Sequence, residues 1–214
     1  MKIFNIKWET DTAGPSPDQN KRIELFLKGC KKAEDGNACP GCFNHELWDS
    51  SATIEHTPEE IVATLKKYSS SRFITIGGGE PTDQMEDLIA LLRRLKHEGY
   101  HTLVYTYHPV ETRLFIEKDH MFQELAYHAD MIISGPYKKE HHQHKPELGD
   151  GFYSSIGSSN QIVWDVTKCI DTFTLKHAEY YPCSALDGLA LREDHQLIII
   201  AKPKEHQEEV CINE

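Results

Sequence analysis

The chain has 214 residues, 34 of them acidic and 23 basic, which gives a formal net charge of -11 at pH 7. This charge repels a phosphate backbone, so it argues against nucleic acid as the main partner and favours a protein or a small molecule. No apolar run approaches the ~20 residues of a membrane span, and the N-terminal residues lack the apolar core of a signal peptide. We therefore expect a cytoplasmic protein with no membrane partner.

The first predicted element is a strand over residues 22–29. Ile23, Leu25 and Leu27 alternate with mostly polar neighbours, which is the period-two pattern of a strand with one buried face. The run leads directly into Cys30, so we expect the C-terminal end of the strand to deliver that thiol.

A helix is predicted to begin at residues 57–60, where a threonine is followed by a proline and, at the third position, by a glutamate. A second strand is predicted over residues 72–80 and ends in three glycines. Asp83 then supplies a capping signal ahead of a helix over residues 85–98. The order so far is strand, helix, strand, helix.

The same alternation continues along the chain. Strands are predicted over residues 102–107, 129–135, 161–166 and 196–203, and helices over residues 110–118 and 121–128. Alternation of this kind predicts an α/β fold with a mostly parallel sheet and crossover helices. No Pro/Gly/Ser-rich linker divides the chain, so we expect a single domain over residues 1–214.

Cysteines in a reducing compartment are candidates for metal ligands before disulfides. Cys30, Cys39 and Cys42 form a C-x8-C-x2-C motif in a polar loop. Three thiolates on a four-iron cluster leave one iron without a protein ligand, which is what a cluster needs if it is to bind a substrate. The spacing alone leaves three possibilities open: such a cluster, a zinc site completed by His45, or unligated cysteines. The remaining cysteines are widely spaced and are interpreted as isolated thiols: Cys169, Cys183 and Cys211.

The segment Gly77-Gly78-Gly79-Glu80-Pro81 lies at the C-terminal end of a predicted parallel strand, the edge at which α/β sheets bind ligands. Glycines there leave backbone groups accessible and allow a ligand's amine and carboxylate to approach closely. Taken alone, the segment would be interpreted as a tight turn between strand and helix. Beside the three-cysteine loop, a ligand site is favoured.

Together these motifs resemble those of the radical S-adenosylmethionine enzymes, and among them the activating enzymes of anaerobic ribonucleoside-triphosphate reductase. The resemblance runs from residue 14 to residue 166 and is carried by LFLKGC (25–30), CPGCFN (39–44), GGGEP (77–81), VYTY (104–107), ISGPY (133–137) and GSSNQIVWDV (157–166). Relatives usually have three residues between the first two cysteines, whereas this chain has eight, Lys31 to Ala38. Residues 167–214 are an extension to which no role is assigned.

The resemblance implies a partial (β/α)6 barrel that binds a [4Fe-4S] cluster and S-adenosylmethionine. Cys30, Cys39 and Cys42 would ligate the cluster, and no catalytic residue beyond these ligands is implied. The remaining implied site residues are Gly78, Gly79 and Glu80, against the methionine part of S-adenosylmethionine, and Tyr105, Thr106 and Tyr107, at the strand end beside it.

The resemblance also implies an oxidoreductase of anaerobic metabolism. The reduced cluster would cleave S-adenosylmethionine to a 5'-deoxyadenosyl radical, which takes a hydrogen atom from a glycine of anaerobic ribonucleotide reductase and leaves a glycyl radical there. The implied partners are this reductase and a low-potential electron donor, flavodoxin or ferredoxin. Two alternatives stay open: a radical enzyme acting on a small molecule or peptide, for example one similar to 7-carboxy-7-deazaguanine synthase, and a noncatalytic zinc-binding module.

Overall fold

The structure is a computed structural model that describes residues 1–10, 22–51, 53–142, 157–158, 160–165 and 181–182. In these residues one sheet contains β1 (Ile3–Thr10), β2 (Arg22–Leu27), β3 (Phe73–Gly78), β4 (His101–Thr106), β5 (Met131–Ser134), β6 (Ile162–Asp165) and β7 (Tyr181–Pro182), in that order. The α-helices are α1 (Lys31–Glu34), α2 (Pro58–Tyr68), α3 (Met85–His97) and α4 (His120–His128). Short 3-10 turns cover His45–Leu47, Pro81–Gln84 and Lys139–His141, and a π-helical turn covers Thr112–Ile116.

The central strands β2, β3, β4 and β5 run parallel to one another. The helices α2, α3 and α4 lie in the connections between successive strands of this set. Because each connection returns the chain to the same end of the sheet, the C-terminal ends of the four strands meet at one edge. The predicted α/β fold with crossover helices is confirmed for this part of the chain, while the partial (β/α)6 barrel stays a prediction.

The outer strands run antiparallel to their neighbours. β1 pairs with β2 in this way, and β6 pairs with both β5 and β7. The strand predicted over residues 161–166 is present as β6, but it departs from the parallel pattern of the preceding strands. The described part of its connection from β5 contains no crossover α-helix, so the chain turns back along the neighbouring strand.

The sequence pattern did not predict β1. Ile3 pairs with Leu27, but the next paired residue, Asn5, lies opposite Phe26, so the register shifts between them. Because of this bulge, Ile3 and Ile6 both pack against the core although they are three positions apart. The period-two alternation that reveals a strand is therefore interrupted.

The hydrophobic core lies between one face of the sheet and the helices. Ile23, Leu25 and Leu27 of β2 are completely buried and share one cluster with Ile61 of α2 and Leu88 of α3. Burying one such side chain contributes about 1.5–3 kcal/mol. This packing fixes β2 and its C-terminal end against the helical layer.

The other face of β2 begins with a buried cation, Arg22. Its Nε donates to Oγ1 of Thr75 at 2.8 Å, and its Nη2 donates to the carbonyl of Ile74 at 2.6 Å. Burial lowers the pKa of the guanidinium to about 9, although the nearby Tyr105 and Asp130 favour its charged form. These bonds fasten the start of β2 to β3.

The two capping predictions have different outcomes. Thr57 and Glu60 form a capping box at the start of α2, with bonds of 3.2 and 2.9 Å, as predicted. The predicted cap at Asp83 is wrong, because Gln84 precedes α3 and makes no side-chain capping bond. The carboxylate of Asp83 instead accepts a 2.6 Å hydrogen bond from the backbone N–H of Lys31.

The two helices predicted between β4 and β5 also have different outcomes. The helix predicted over residues 121–128 is α4, whereas the helix predicted over residues 110–118 is present only as a π-helical turn. In the part of the chain that the structure describes, no helix combines the length and apolar character needed to cross a membrane. The predictions that lie outside this part are the strand over residues 196–203 and the isolated thiols Cys169, Cys183 and Cys211.

Candidate functional site

The predicted site residues lie at the C-terminal ends of the parallel strands. Cys30 follows β2, the glycine segment ends β3, and Tyr107 follows β4. Two backbone hydrogen bonds join the first two of these ends, from the N–H of Gly79 to the carbonyl of Leu27 at 2.9 Å and from the N–H of Glu80 to the carbonyl of Gly29 at 2.7 Å. The edge at which α/β folds bind ligands therefore carries both the cysteine loop and the glycine segment.

The three cysteines occupy one continuous loop. The N–H of Cys30 donates to the carbonyl of Trp48 at 3.0 Å, and the carbonyl of Cys30 accepts from the N–H of Ala33 at 2.9 Å. The N–H of Cys42 donates to the carbonyl of Cys39 at 3.1 Å, which closes the tight turn between these two residues. All three side chains are free of disulfide bonds and half-buried.

The environment of Cys30 disfavours its thiolate while no metal is bound. Burial raises the pKa of this thiol to about 11, and the hydrogen bond with the backbone of Ala33 opposes the rise. The negative charges of Glu80 and Asp83, together with Cys39, raise this pKa further. A metal that binds at Cys30 must therefore displace a proton from it.

The glycines that end β3 pack directly on the segment leading into Cys30. A Cβ atom added to Gly78, which has a φ of +116°, would lie 2.3 Å from the carbonyl oxygen of Leu27. A Cβ atom added to Gly79 would lie 2.0 Å from the carbonyl oxygen of Gly29. Both distances are too short for any side chain, so these positions require glycine for backbone packing, a reason that sequence reasoning did not give.

Glu80 links the ends of β3 and β4. Only 2% of it is exposed. Its Oε1 accepts from the N–H and the hydroxyl of Thr82 at 3.0 and 2.6 Å, and its Oε2 accepts from the N–H of Tyr107 at 2.8 Å. Burial raises the pKa of this carboxyl to about 7, although these hydrogen bonds oppose the rise. Glu80 was predicted to lie against a ligand, yet both of its oxygens are already bonded within the protein.

The end of β4 presents a threonine between two tyrosines. Thr106 is buried, and its hydroxyl accepts from the N–H of His108 at 3.1 Å and lies 3.4 Å from the hydroxyl of Thr82. Tyr105 is half-buried. The ring of Tyr107 lies 4.2 Å from that of His108, and burial raises the pKa of its phenol. The structure therefore brings this strand end to Glu80 and to the glycine segment.

Two residues of the site were not singled out from the sequence. Asn44 donates from Nδ2 to the carbonyl of Gly78 at 2.9 Å, and Gln84 donates from Nε2 to the carbonyl of Lys28 at 3.0 Å. Each side chain bridges the cysteine-bearing segment and the glycine-bearing segment. The position of Asn44, two residues after Cys42, was the available signal.

The GSSNQ segment fastens the loop that follows β5. Gln161 accepts from the N–H of Gly157 at 2.9 Å and donates to the carbonyl of Gly135 at 3.1 Å. Asn160 donates to the carbonyl of Pro136 at 2.8 Å. Part of this segment lies outside the described residues, but these bonds give it a structural role that the sequence could not reveal.

Cysteine side chains in proteins hold single zinc ions or iron-sulfur clusters. Among the described residues, no group of three or more His, Cys, Asp or Glu side chains converges on a site for one metal ion. Three thiolates can bind three irons of a four-iron cluster or occupy three positions around a tetrahedral zinc ion. His45, the fourth donor of the zinc alternative, is exposed and packs edge-on against Trp48. Three free thiols in one loop fit an iron-sulfur cluster in their chemistry.

Comparison with known proteins identifies the family. Residues 19–164 match the protein family described as 4Fe-4S single cluster domain, and this range contains all of the predicted site residues. The match covers more than half of the chain, and the chain belongs to this family. Its membership supports the predicted iron-sulfur cluster.

Individual relatives carry a more specific description. A pyruvate formate-lyase-activating enzyme of Staphylococcus aureus (strain USA300) is 32% identical over 120 residues, which are 52% of this chain and 45% of that protein. A pyruvate formate-lyase-activating enzyme of Clostridium pasteurianum is 32% identical over 90 residues, which are 40% of this chain and 36% of that protein. The chain thus spans less than half the length of these relatives.

Proposed function

We propose that this chain is a radical S-adenosylmethionine enzyme that activates a glycyl-radical protein. The observation that carries the proposal is the direct packing of the three-cysteine loop on the glycine segment. Gly79 and Glu80 bond to the backbone of Leu27 and Gly29, and Asn44 bonds to the carbonyl of Gly78. A set of three thiols therefore lies beside a strand end that exposes backbone groups. The family match and the similarity to activating enzymes support the same assignment.

The residue roles follow from this arrangement. Cys30, Cys39 and Cys42 would hold a [4Fe-4S] cluster, which supplies, when bound, the electron that cleaves S-adenosylmethionine to the 5'-deoxyadenosyl radical. The backbone at Gly78 and Gly79 would support the methionine part of S-adenosylmethionine. The carboxylate of Glu80 would act indirectly, because its bonds to Thr82 and Tyr107 hold the two strand ends together.

Tyr105, Thr106 and Tyr107 would form the wall of the site at the end of β4. Their contribution is to orient the cofactor and to exclude water, since Thr106 is buried and the Tyr107 ring is packed on His108. Exclusion of water protects a reactive radical from side reactions.

Anaerobic reconstitution with iron and sulfide tests the cofactor assignment. We expect a brown protein with four irons per chain, and electron paramagnetic resonance of the reduced protein should change when S-adenosylmethionine is added. Cys39→Ala should abolish both results, whereas Cys169→Ala, which removes a cysteine outside the motif, should preserve them. A protein that binds one zinc ion and no iron would establish the noncatalytic alternative instead.

The partner is the second part of the proposal. We propose an anaerobic ribonucleotide reductase as the glycyl-radical partner, with flavodoxin or ferredoxin as electron donor, on the basis of the CPGCFN and GSSNQ segments. The named relatives activate pyruvate formate-lyase, so the two partners must be compared directly. The reconstituted protein should generate a glycyl radical signal on the reductase and none on pyruvate formate-lyase. Radical formation on neither protein would favour a small-molecule or peptide substrate.

A further inference from the structure

The eight-residue spacer between the first two cysteines is folded. Its first four residues form α1, and Gly36, with a φ of +79°, turns the chain after the helix. The N–H of Asn37 then donates to the carbonyl of Lys32 at 2.9 Å. The spacer therefore returns the chain to Cys39 along a defined path.

The start of α1 is fastened to the glycine side of the site. The carboxylate of Asp83, which lies just beyond the glycine segment, accepts from the N–H of Lys31 at 2.6 Å. The carbonyl of Cys30 accepts from the N–H groups of Ala33 and Glu34, both at 2.9 Å. The orientation of α1 is thus set by the same strand ends that carry the site.

This orientation places one side chain of the spacer on a cysteine. The Nζ of Lys32 lies 3.2 Å from the Sγ of Cys39 and 5.2 Å from the centroid of the Tyr107 ring. Lys32 is half-buried, whereas its neighbour Lys31 is exposed. The ammonium group of Lys32 thus lies close to both a cysteine sulfur and the end of β4.

We propose that Lys32 is a positioning residue that hydrogen-bonds the sulfur of Cys39 and raises the midpoint potential of the iron-sulfur cluster. The inference rests on the proposed function, because it concerns the cluster that the three cysteines would hold. Hydrogen bonds to ligand sulfurs and nearby charges are among the features by which proteins set cluster potentials. Reduction adds one negative charge to the cluster, so a neighbouring ammonium group stabilises the reduced form more than the oxidised form.

The test compares three variants of the reconstituted protein by redox titration. Lys32→Met removes the charge and keeps the apolar stem, Lys32→Arg keeps the charge, and Lys31→Met removes a charge from the same helix without removing the contact. At the wild-type midpoint potential, Lys32→Met should lower the ratio of reduced to oxidised cluster about fivefold, the upper end for an exposed ion pair. Lys31→Met should leave this ratio close to that of the wild type, and Lys32→Arg should restore most of it.

A second measurement tests the contact between Lys32 and Cys39 in protein that contains no cluster. In the metal-free protein, a short amine-to-thiol cross-linking reagent should join Lys32 to Cys39 and should not join Lys31 to Cys39, as mapped by mass spectrometry. Absence of the Lys32 product overturns the inference even if the potentials differ. Equal potential shifts in Lys32→Met and Lys31→Met, or no shift in either, also overturn it.

The two proposals fail in different ways. A wild-type protein that takes up no iron-sulfur cluster contradicts the proposed function. A protein that takes up the cluster and cleaves S-adenosylmethionine, but whose potential is insensitive to Lys32→Met, leaves the function intact and contradicts the role of Lys32.

Discussion

The two sides of the candidate site are built differently. On the glycine side, Gly79 has no space for a side chain and Glu80 is buried with both oxygens bonded. On the cysteine side, Cys39 and Cys42 are only half-buried, and the neighbouring Phe43 is exposed. The residues of the glycine side are therefore packed and bonded within the protein, whereas the thiols of the cysteine side are partly exposed. Substitutions on the two sides should affect different properties.

The largest effect on stability is expected for Gly79→Ala. Its new Cβ atom would meet the carbonyl of Gly29, so the free energy of unfolding should fall by about 3 kcal/mol or more. Gly77→Ala is the matched control, since a Cβ atom there would lie 3.6 Å from the Tyr105 ring, an ordinary contact. Urea unfolding of both variants measures the difference. Similar stabilities of the two variants would show that Gly79 does not pack closely against the carbonyl of Gly29.

Glu80→Gln should change the pH dependence of stability. The folded-state pKa of this carboxyl, about 7, lies above its ordinary value of ~4.3. Between these values the folded protein holds a proton that the unfolded chain has released, so Glu80 makes the free energy of unfolding fall as pH rises, by about 4 kcal/mol at most. Glu80→Gln should remove this slope.

Urea unfolding of the metal-free protein from pH 4.5 to pH 7.5 measures this slope. The exposed Glu86 supplies a control, because Glu86→Gln should leave the slope unchanged. A steeper fall in the Glu80→Gln variant than in the wild type would contradict the buried position of Glu80.

Asp83→Ala should have a smaller effect at the junction of the two sides. It removes the acceptor for the N–H of Lys31, the first residue of α1. Loss of a side-chain acceptor at the start of a helix costs about 1 kcal/mol. Amide hydrogen exchange at Lys31 should become faster, while Asp83→Asn, which keeps an acceptor oxygen, should restore part of the protection. Asp35→Ala, in the spacer that contains Lys31, is the control. Equal exchange rates in the two alanine variants would argue against the bond between Asp83 and Lys31.

The smallest effect on stability is expected on the cysteine side. Cys39→Ser and Cys42→Ser should change the free energy of unfolding of the metal-free protein by about 0.5 kcal/mol or less, because both thiols are half-buried. The same variants should lose the capacity to take up iron and sulfide. If they unfold as readily as Gly79→Ala, the proposed difference between the two sides is wrong.

Much of this arrangement was accessible from the sequence because its local signals agree with its tertiary contacts. The alternation of Ile23, Leu25 and Leu27 predicted β2 and its buried face, and the capping box at Thr57 predicted the start of α2. The order of strands and helices then placed Cys30 and the glycine segment at the same edge. Each of these inferences needs only neighbouring residues and the geometry of parallel strands.

Other features depend on contacts between residues far apart in sequence. Arg22 alternates like an ordinary polar residue, yet it is completely buried because Thr75 and Ile74 satisfy its guanidinium. Asp83 has the sequence signature of a helix cap, but its carboxylate bonds to Lys31, 52 positions earlier. No local pattern reveals such partners, and the contact between Lys32 and Cys39 depends on the same tertiary arrangement.

The bond from Asn44 to the carbonyl of Gly78 has a consequence for the ageing of the purified protein. Hydrolysis of the Asn44 amide would replace its donor by a carboxylate, so two oxygen acceptors would face each other across the junction of the loop and β3. The resulting repulsion would separate the cysteine loop from its support without altering any thiol. Stored preparations would then lose cofactor-binding capacity at the rate of this deamidation, with a mass gain of about one dalton as its chemical signature.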